Sequence, residues 1–273
     1  MVLLLVAHGS RDPRHAATVS ALRGRLAAAR PELRVEVGYL DFCVPSVPRV
    51  LERLAAEGVR EVVALPLLLT RAFHARTDIP GVLREATAAL PGLRVCQAGV
   101  LGPSPLLTAT LERRLYEAGV RPGDRRSTGV VLAAAGSSDP EAGAVIAGVA
   151  REWERAAGWF AVRPAFASAV PPSVEDAVRA LRAAGAHRVA VAPYVIAPGR
   201  LPDRIAREAR LADALGDVLG AADELVSLAL RRYDEAVAAR LMGTGSAGAP
   251  PRIRHDKPQP AVAPRGGGER RPA

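Results

Sequence analysis

Apolar runs and amphipathic stretches alternate along this chain with little break. VLLLVA opens it and a helical pattern follows from Arg14 to Ala29; RVEVGYL precedes a second at Val47 to Ala56. REVVALPLLL precedes a third at Ile79 to Leu90, and RVCQAGVLG a fourth at Leu106 to Ala118. Apolar runs without in/out alternation, separated by helices, predict parallel strands buried on both faces. The expected fold class is α/β. The pattern restarts at GVVLAAA, residues 129 to 135.

The restart is in register. Gly9, Ser10, Asp12 and Pro13 recur 127 residues later as Gly136, Ser137, Asp139 and Pro140. Pro45, Ser46 and Val47 recur as Pro172, Ser173 and Val174, Gly58 as Gly185, and Pro66 as Pro193. Nine identities at one offset, each at an equivalent strand or turn position, indicate an internal duplication. Near the end the offset shortens, so that Val100, Leu101 and Gly102 match Val218, Leu219 and Gly220. Two similar lobes, each a helix-flanked parallel sheet, are expected over residues 1–121 and 128–241. The polar RPGDRRST segment has linker composition. Residues 242–273, rich in Pro, Gly and Arg, are expected to be a disordered basic tail.

Shared residues at equivalent turns explain folding: in SRDP and SSDP an aspartate caps a helix whose first position is proline. The columns that differ carry the chemistry. His8 faces Ala135, Asp41 faces Ser168 and His74 faces Leu201. Each lies at or beyond the carboxyl end of one of three successive strands, where open parallel sheets place ligands. Two imidazoles and a carboxylate suit a borderline divalent ion. Singly, His8 is equally readable as a capping or core histidine, His74 as a loop histidine and Asp41 as the cap of the helix near Pro45. His15, His187 and His255, at helical, strand-start and tail positions, are read as having no part in the chemistry.

Composition narrows the function classes. The 273 residues are 49% apolar, yet no run reaches the ~18 residues of a membrane span. MVLLLVA lacks a basic leader and reads as a buried strand, so a cytoplasmic protein without membrane contact is expected. Cys43 and Cys96 have no CxxC spacing and are expected to be buried small hydrophobes. The formal charge is +9; six basic against two acidic residues put +4 of it in the tail and leave about +5 for the body. With 4% aromatics and no basic stripe, an anionic small substrate is favoured over nucleic acid.

VAHGSRDP followed by YLDFCVPSV and LPLLLTRAFHARTDIP resembles the class II chelatases of tetrapyrrole biosynthesis, specifically the sirohydrochlorin chelatases in their long, two-lobed form. The resemblance covers roughly residues 1 to 235. It implies insertion of a divalent metal, Co²⁺ or Fe²⁺ with Ni²⁺ as a further candidate, into sirohydrochlorin for cobalamin or sirohaem synthesis, with the metal as substrate and no organic cofactor. Its metal-site residues correspond to His8, His74 and Asp41, the acid being Asp where the family pattern more often has Glu. His8 and His74 are the catalytic candidates, because neutral imidazole both ligates and accepts protons near pH 7. Ser10, Arg11, Arg71 and Arg76, with Arg200 and Arg204 in the matching loop of the second lobe, are the candidates for holding the polycarboxylate macrocycle. A monomer is expected, because the two lobes mimic a dimer. Two rivals remain: a non-enzymatic metal carrier using the same ligands, and a histidine phosphatase-like transferase, disfavoured because Ala7 stands where that chemistry needs arginine.

Overall fold

A computed structural model describes residues 1–70, 78–168 and 170–243. The first repeat runs β1 (Val2–Ala7), α1 (Pro13–Ala29), β2 (Val35–Tyr39), α2 (Val47–Ala56), β3 (Glu61–Pro66), α3 (Ile79–Ala88), β4 (Arg94–Gln97) and α4 (Pro105–Glu117). The second runs β5 (Thr128–Ala134), α5 (Pro140–Ala157), β6 (Ala161–Phe166), α6 (Val174–Ala183), β7 (Arg188–Tyr194), α7 (Arg200–Glu208), β8 (Ala214–Leu215) and α8 (Asp223–Gly243). Two four-stranded parallel sheets result, ordered β2-β1-β3-β4 and β6-β5-β7-β8. Both repeats thus make the same sheet, as the duplication predicts.

Strand β1 shows why its run is apolar throughout. Val2, Leu4 and Val6 pack with α2 and α3 on one face, through Val50, Leu51, Leu54, Ile79 and Leu83. Leu3, Leu5 and Ala7 point to the other face, into a core that includes Val130, Leu132 and Ala134 of β5. The two sheets therefore enclose one continuous interior, filled by α1, α4, α5 and α8. Second-lobe side chains such as Val131, Val191, Leu181 and Ile205 form a third, outer cluster under α6 and α7.

The closing helix of each repeat packs on the other repeat's sheet. Helix α4 lies against β7, and α8 lies against β3 and β4 while also touching α1 and α4. Ion pairs pin α8 in that place: Arg30 to Asp234 at 2.6 Å, Arg113 to Glu224 at 2.9 Å, and Arg240 to Glu61 at 2.8 Å. The RPGDRRST segment is more ordered than linker composition suggests, because Pro122–Ser127 form a 3-10 turn and Thr128 is fully buried as the first residue of β5. Arg125 of that turn lies over the Tyr116 and Trp159 rings and pairs with Glu112.

Because the interior is shared, Leu111→Ala on α4 is expected to cost about 2–5 kcal/mol and to shift one unfolding transition, not one of two. Scanning calorimetry checks this: a calorimetric enthalpy equal to the van't Hoff value is expected, and two resolved transitions would show independent lobes.

Candidate functional site

Three strand ends of the first sheet lie side by side. Leu40 N–H donates to Ala7 O at 3.0 Å, Asp41 N–H to His8 O at 2.9 Å, and Leu67 N–H to Val6 O at 2.9 Å. The residues that follow β1, β2 and β3 therefore share one rim. The sheet order places the switch point between β1 and β3, the position favoured for ligands in such sheets.

Backbone chemistry holds the turn after β1. Gly9 has φ +94°, and a β-carbon there would fall 1.8 Å from the Asp41 carbonyl oxygen. Its counterpart Gly136 has φ +91° and would meet the Ser168 carbonyl oxygen at 1.9 Å. Ser10 Oγ accepts from Asp12 N–H at 3.1 Å, and Asp12 Oδ1 caps α1 by accepting from Arg14 N–H at 2.9 Å. Ser137 and Asp139 repeat both bonds, at 3.1 and 2.9 Å. The repeated Gly, Ser, Asp and Pro are thus turn and cap residues, as expected from their type.

His8 and Ser10 open onto a cleft of about 610 Å³ between the lobes, within the usual range of small-molecule sites. Ala135, the counterpart of His8, lines the same cleft, as do Arg200 and Leu201 from the second lobe. Asp41, Arg11 and Arg204 are not among its described lining residues. His74, Arg71 and Arg76 lie outside the described residues. Among the described residues no three His, Cys, Asp or Glu side chains come together to hold an ion.

Asp41 is exposed, and its Oδ1 accepts from the Phe42 N–H at 2.8 Å. It does not cap α2, whose N-cap is Ser46. In the second lobe Ser168 instead donates its hydroxyl to Ala135 O at 2.8 Å, a bond that a carboxylate cannot make to His8 O. Arg11 stacks over the Phe42 ring at 5.4 Å, and Arg204 Nε pairs with Glu208 at 2.7 Å on its own helix. Arg14 reaches from Asp12 to Asp203 of the opposite lobe, at 2.6 Å each.

Several residues at this site carry no signal in the sequence reading. Phe42 has φ +58°, is 51% exposed, and sets its ring edge-on to His8 at 6.2 Å. Positive φ is uncommon outside glycine and collects at functional positions. Cys43 is half-buried, not buried, and its Sγ donates to Ser10 O at 3.1 Å and accepts from Ser10 N–H at 3.5 Å, clasping the tripeptide that carries His8. Cys96 is also half-buried. His15, given no part in the chemistry by its helical position, lines the cleft; burial, and next the charge of His8, hold its imidazole below the usual range. Tyr194 lines it from the other lobe, with its phenol pushed far up by burial. Comparison of the repeats could have found both, since they stand opposite Ala142 and Leu67.

The CbiX family model matches twice, over residues 2–118 and 129–236. The chain belongs to the CbiX family. Its relatives include a sirohydrochlorin cobaltochelatase of Priestia megaterium, 28% identical over 207 residues that make up 74% of this chain and 66%, just under two thirds, of that protein. A sirohydrochlorin ferrochelatase of Bacillus subtilis strain 168 is 26% identical over 209 residues, 76% of this chain and 78% of its own length. The solved structure of SirB from Bacillus subtilis with Fe³⁺ superposes with a TM-score of 0.78 at 24% identity, covering 88% of this chain and 97% of that one. The likeness to SirB extends across both lobes, so the two-lobed CbiX architecture holds for the whole described body.

Proposed function

We propose that this CbiX protein is a sirohydrochlorin chelatase that inserts a divalent first-row metal into the macrocycle held between its lobes. The observation that carries the reading is that His8 and Ala135, matching positions of twin lobes, face one cleft together with Arg200. A cleft with its imidazoles on one wall presents an ion to one face of a flat ring. The relatives named as cobalto- and ferrochelatases support the same chemistry.

His8 stands directly after a buried strand and serves first as metal ligand and then, once its lone pair is free of the ion, as acceptor of one pyrrole N–H proton. Insertion needs both acts, since two N–H protons leave as the metal–nitrogen bonds form; His8 takes one and the other passes to solvent. His74 receives or delivers the ion. Asp41 adds negative charge beside His8, and its bond to Phe42 N–H leaves its second oxygen available for orienting an imidazole. Ser10 and Arg200 hold the macrocycle from opposite walls, with Arg11, Arg71, Arg76 and Arg204 as further cationic contacts. Cobalt and iron are the expected metals, with nickel accepted by the same donor types. The protein acts as a cytoplasmic monomer, one chain supplying both halves of the cleft. Among the described residues no helix is long and apolar enough to cross a membrane.

Anaerobic absorbance spectra of sirohydrochlorin mixed with Co²⁺, Fe²⁺ or Ni²⁺ test the reading. Enzyme is expected to accelerate the spectral change for cobalt or iron over the spontaneous reaction; equal rates with and without protein would overturn it. Leu201→His, which returns an imidazole to the second wall, is expected to give no gain in rate.

A further inference from the structure

Among the described residues, four buried side-chain polar atoms lack a hydrogen-bond partner within the chain: His15 Nδ1, Arg114 Nε, Trp159 Nε1 and Tyr194 OH. Buried polar atoms are nearly always satisfied, so each of these is open to a partner from outside the chain, whether water or ligand. Arg114 and Trp159 are not among the residues that line the cleft. His15 and Tyr194 both belong to it, one on each wall.

Comparison of the repeats is an independent observation. His15 corresponds to Ala142 and Tyr194 to Leu67, and all four line the same cleft. Each wall therefore carries one polar group where its twin has an apolar one. Tyr194 is only 2% exposed, and space is kept for its hydroxyl: a β-carbon on Gly102 would stand 2.7 Å from it and 2.1 Å from Leu69 O. His15 sits in the first turn of α1, with its ring 6.5 Å from that of Tyr39.

Arg200 is the one permanently charged cation in the described lining, which is short provision for a polycarboxylate. An imidazole N–H and a phenol O–H are neutral donors that complement carboxylate oxygens. Resting on the chelatase reading, we infer that His15 and Tyr194 are substrate-contacting residues, one per lobe, each donating to a carboxylate of the bound tetrapyrrole. The second lobe then contributes recognition as well as a wall.

The test is anaerobic titration of metal-free sirohydrochlorin into the full-length protein, followed by ligand fluorescence, for wild type, His15→Ala and Tyr194→Phe. The first variant carries the residue of the twin repeat and the second loses a single oxygen; thermal melts confirm that both fold. Each is expected to bind about tenfold more weakly than wild type, the scale of one hydrogen bond to a charged group. The methyl-esterified macrocycle is expected to bind wild type and variants alike. Binding of both variants within about twofold of wild type overturns the inference, and loss in one alone overturns the two-walled arrangement. If wild type itself fails to bind, the chelatase reading fails instead.

Discussion

His8→Ala is expected to slow metal insertion by about 10²–10⁴-fold, the usual worth of a positioned proton acceptor, before any loss of metal affinity is counted. The side chain is exposed at the end of β1, so its removal leaves the core intact. Melting temperature should stay close to wild type while the rate falls to that of the spontaneous reaction. The anaerobic absorbance assay separates these effects, and a variant within threefold of the wild-type rate would remove His8 from the chemistry. The backbone around it is fixed by Asp41 N–H and by the Cys43 clasp on Ser10, so the loss is assignable to the imidazole.

Gly9→Ala and Gly136→Ala are expected to destabilise the fold by similar amounts, about 3 kcal/mol or more each. A left-handed backbone at φ +94° or +91° is costly for alanine, and the added methyl would overlap a carbonyl oxygen of the neighbouring loop. Denaturant unfolding of the two variants checks this. Equal losses are the signature of one turn used twice, whereas a large loss at Gly9 with none at Gly136 would show that the second turn is free to rearrange.

Much of this architecture is written in local pattern. Continuous apolar runs such as VLLLVA and GVVLAAA become strands because each of their faces meets a helix layer, and the 127-residue offset makes the two sheets equivalent. Helix α2 begins at the expected residue because Ser46 and Pro48 mark its start. Periodicity reports which face of a helix is apolar but not which sheet receives it, so the crossing over of α4 and α8 was not legible. The cleft position of His8 and Arg200 was legible, because His8 directly follows β1 and Arg200 opens the helix after β7. The helix that carries His15 gives no hint that a second lobe closes above it, and only the mismatch with Ala142 in the other repeat marks the position. Tyr194 likewise reads, within its own segment, as one more apolar residue at the end of a buried strand, and only its mismatch with Leu67 sets it apart.

The crossing of the two terminal helices dictates how the molecule can be cut. A break at the Pro122–Ser127 turn would yield a front fragment whose β3 and β4 are stripped of α8, and a rear fragment whose β7 is stripped of α4. Neither piece could hide its bare sheet alone. Mixed together they would cover one another, so activity should reappear only on co-assembly, much as a clasp works only when both hooks are present.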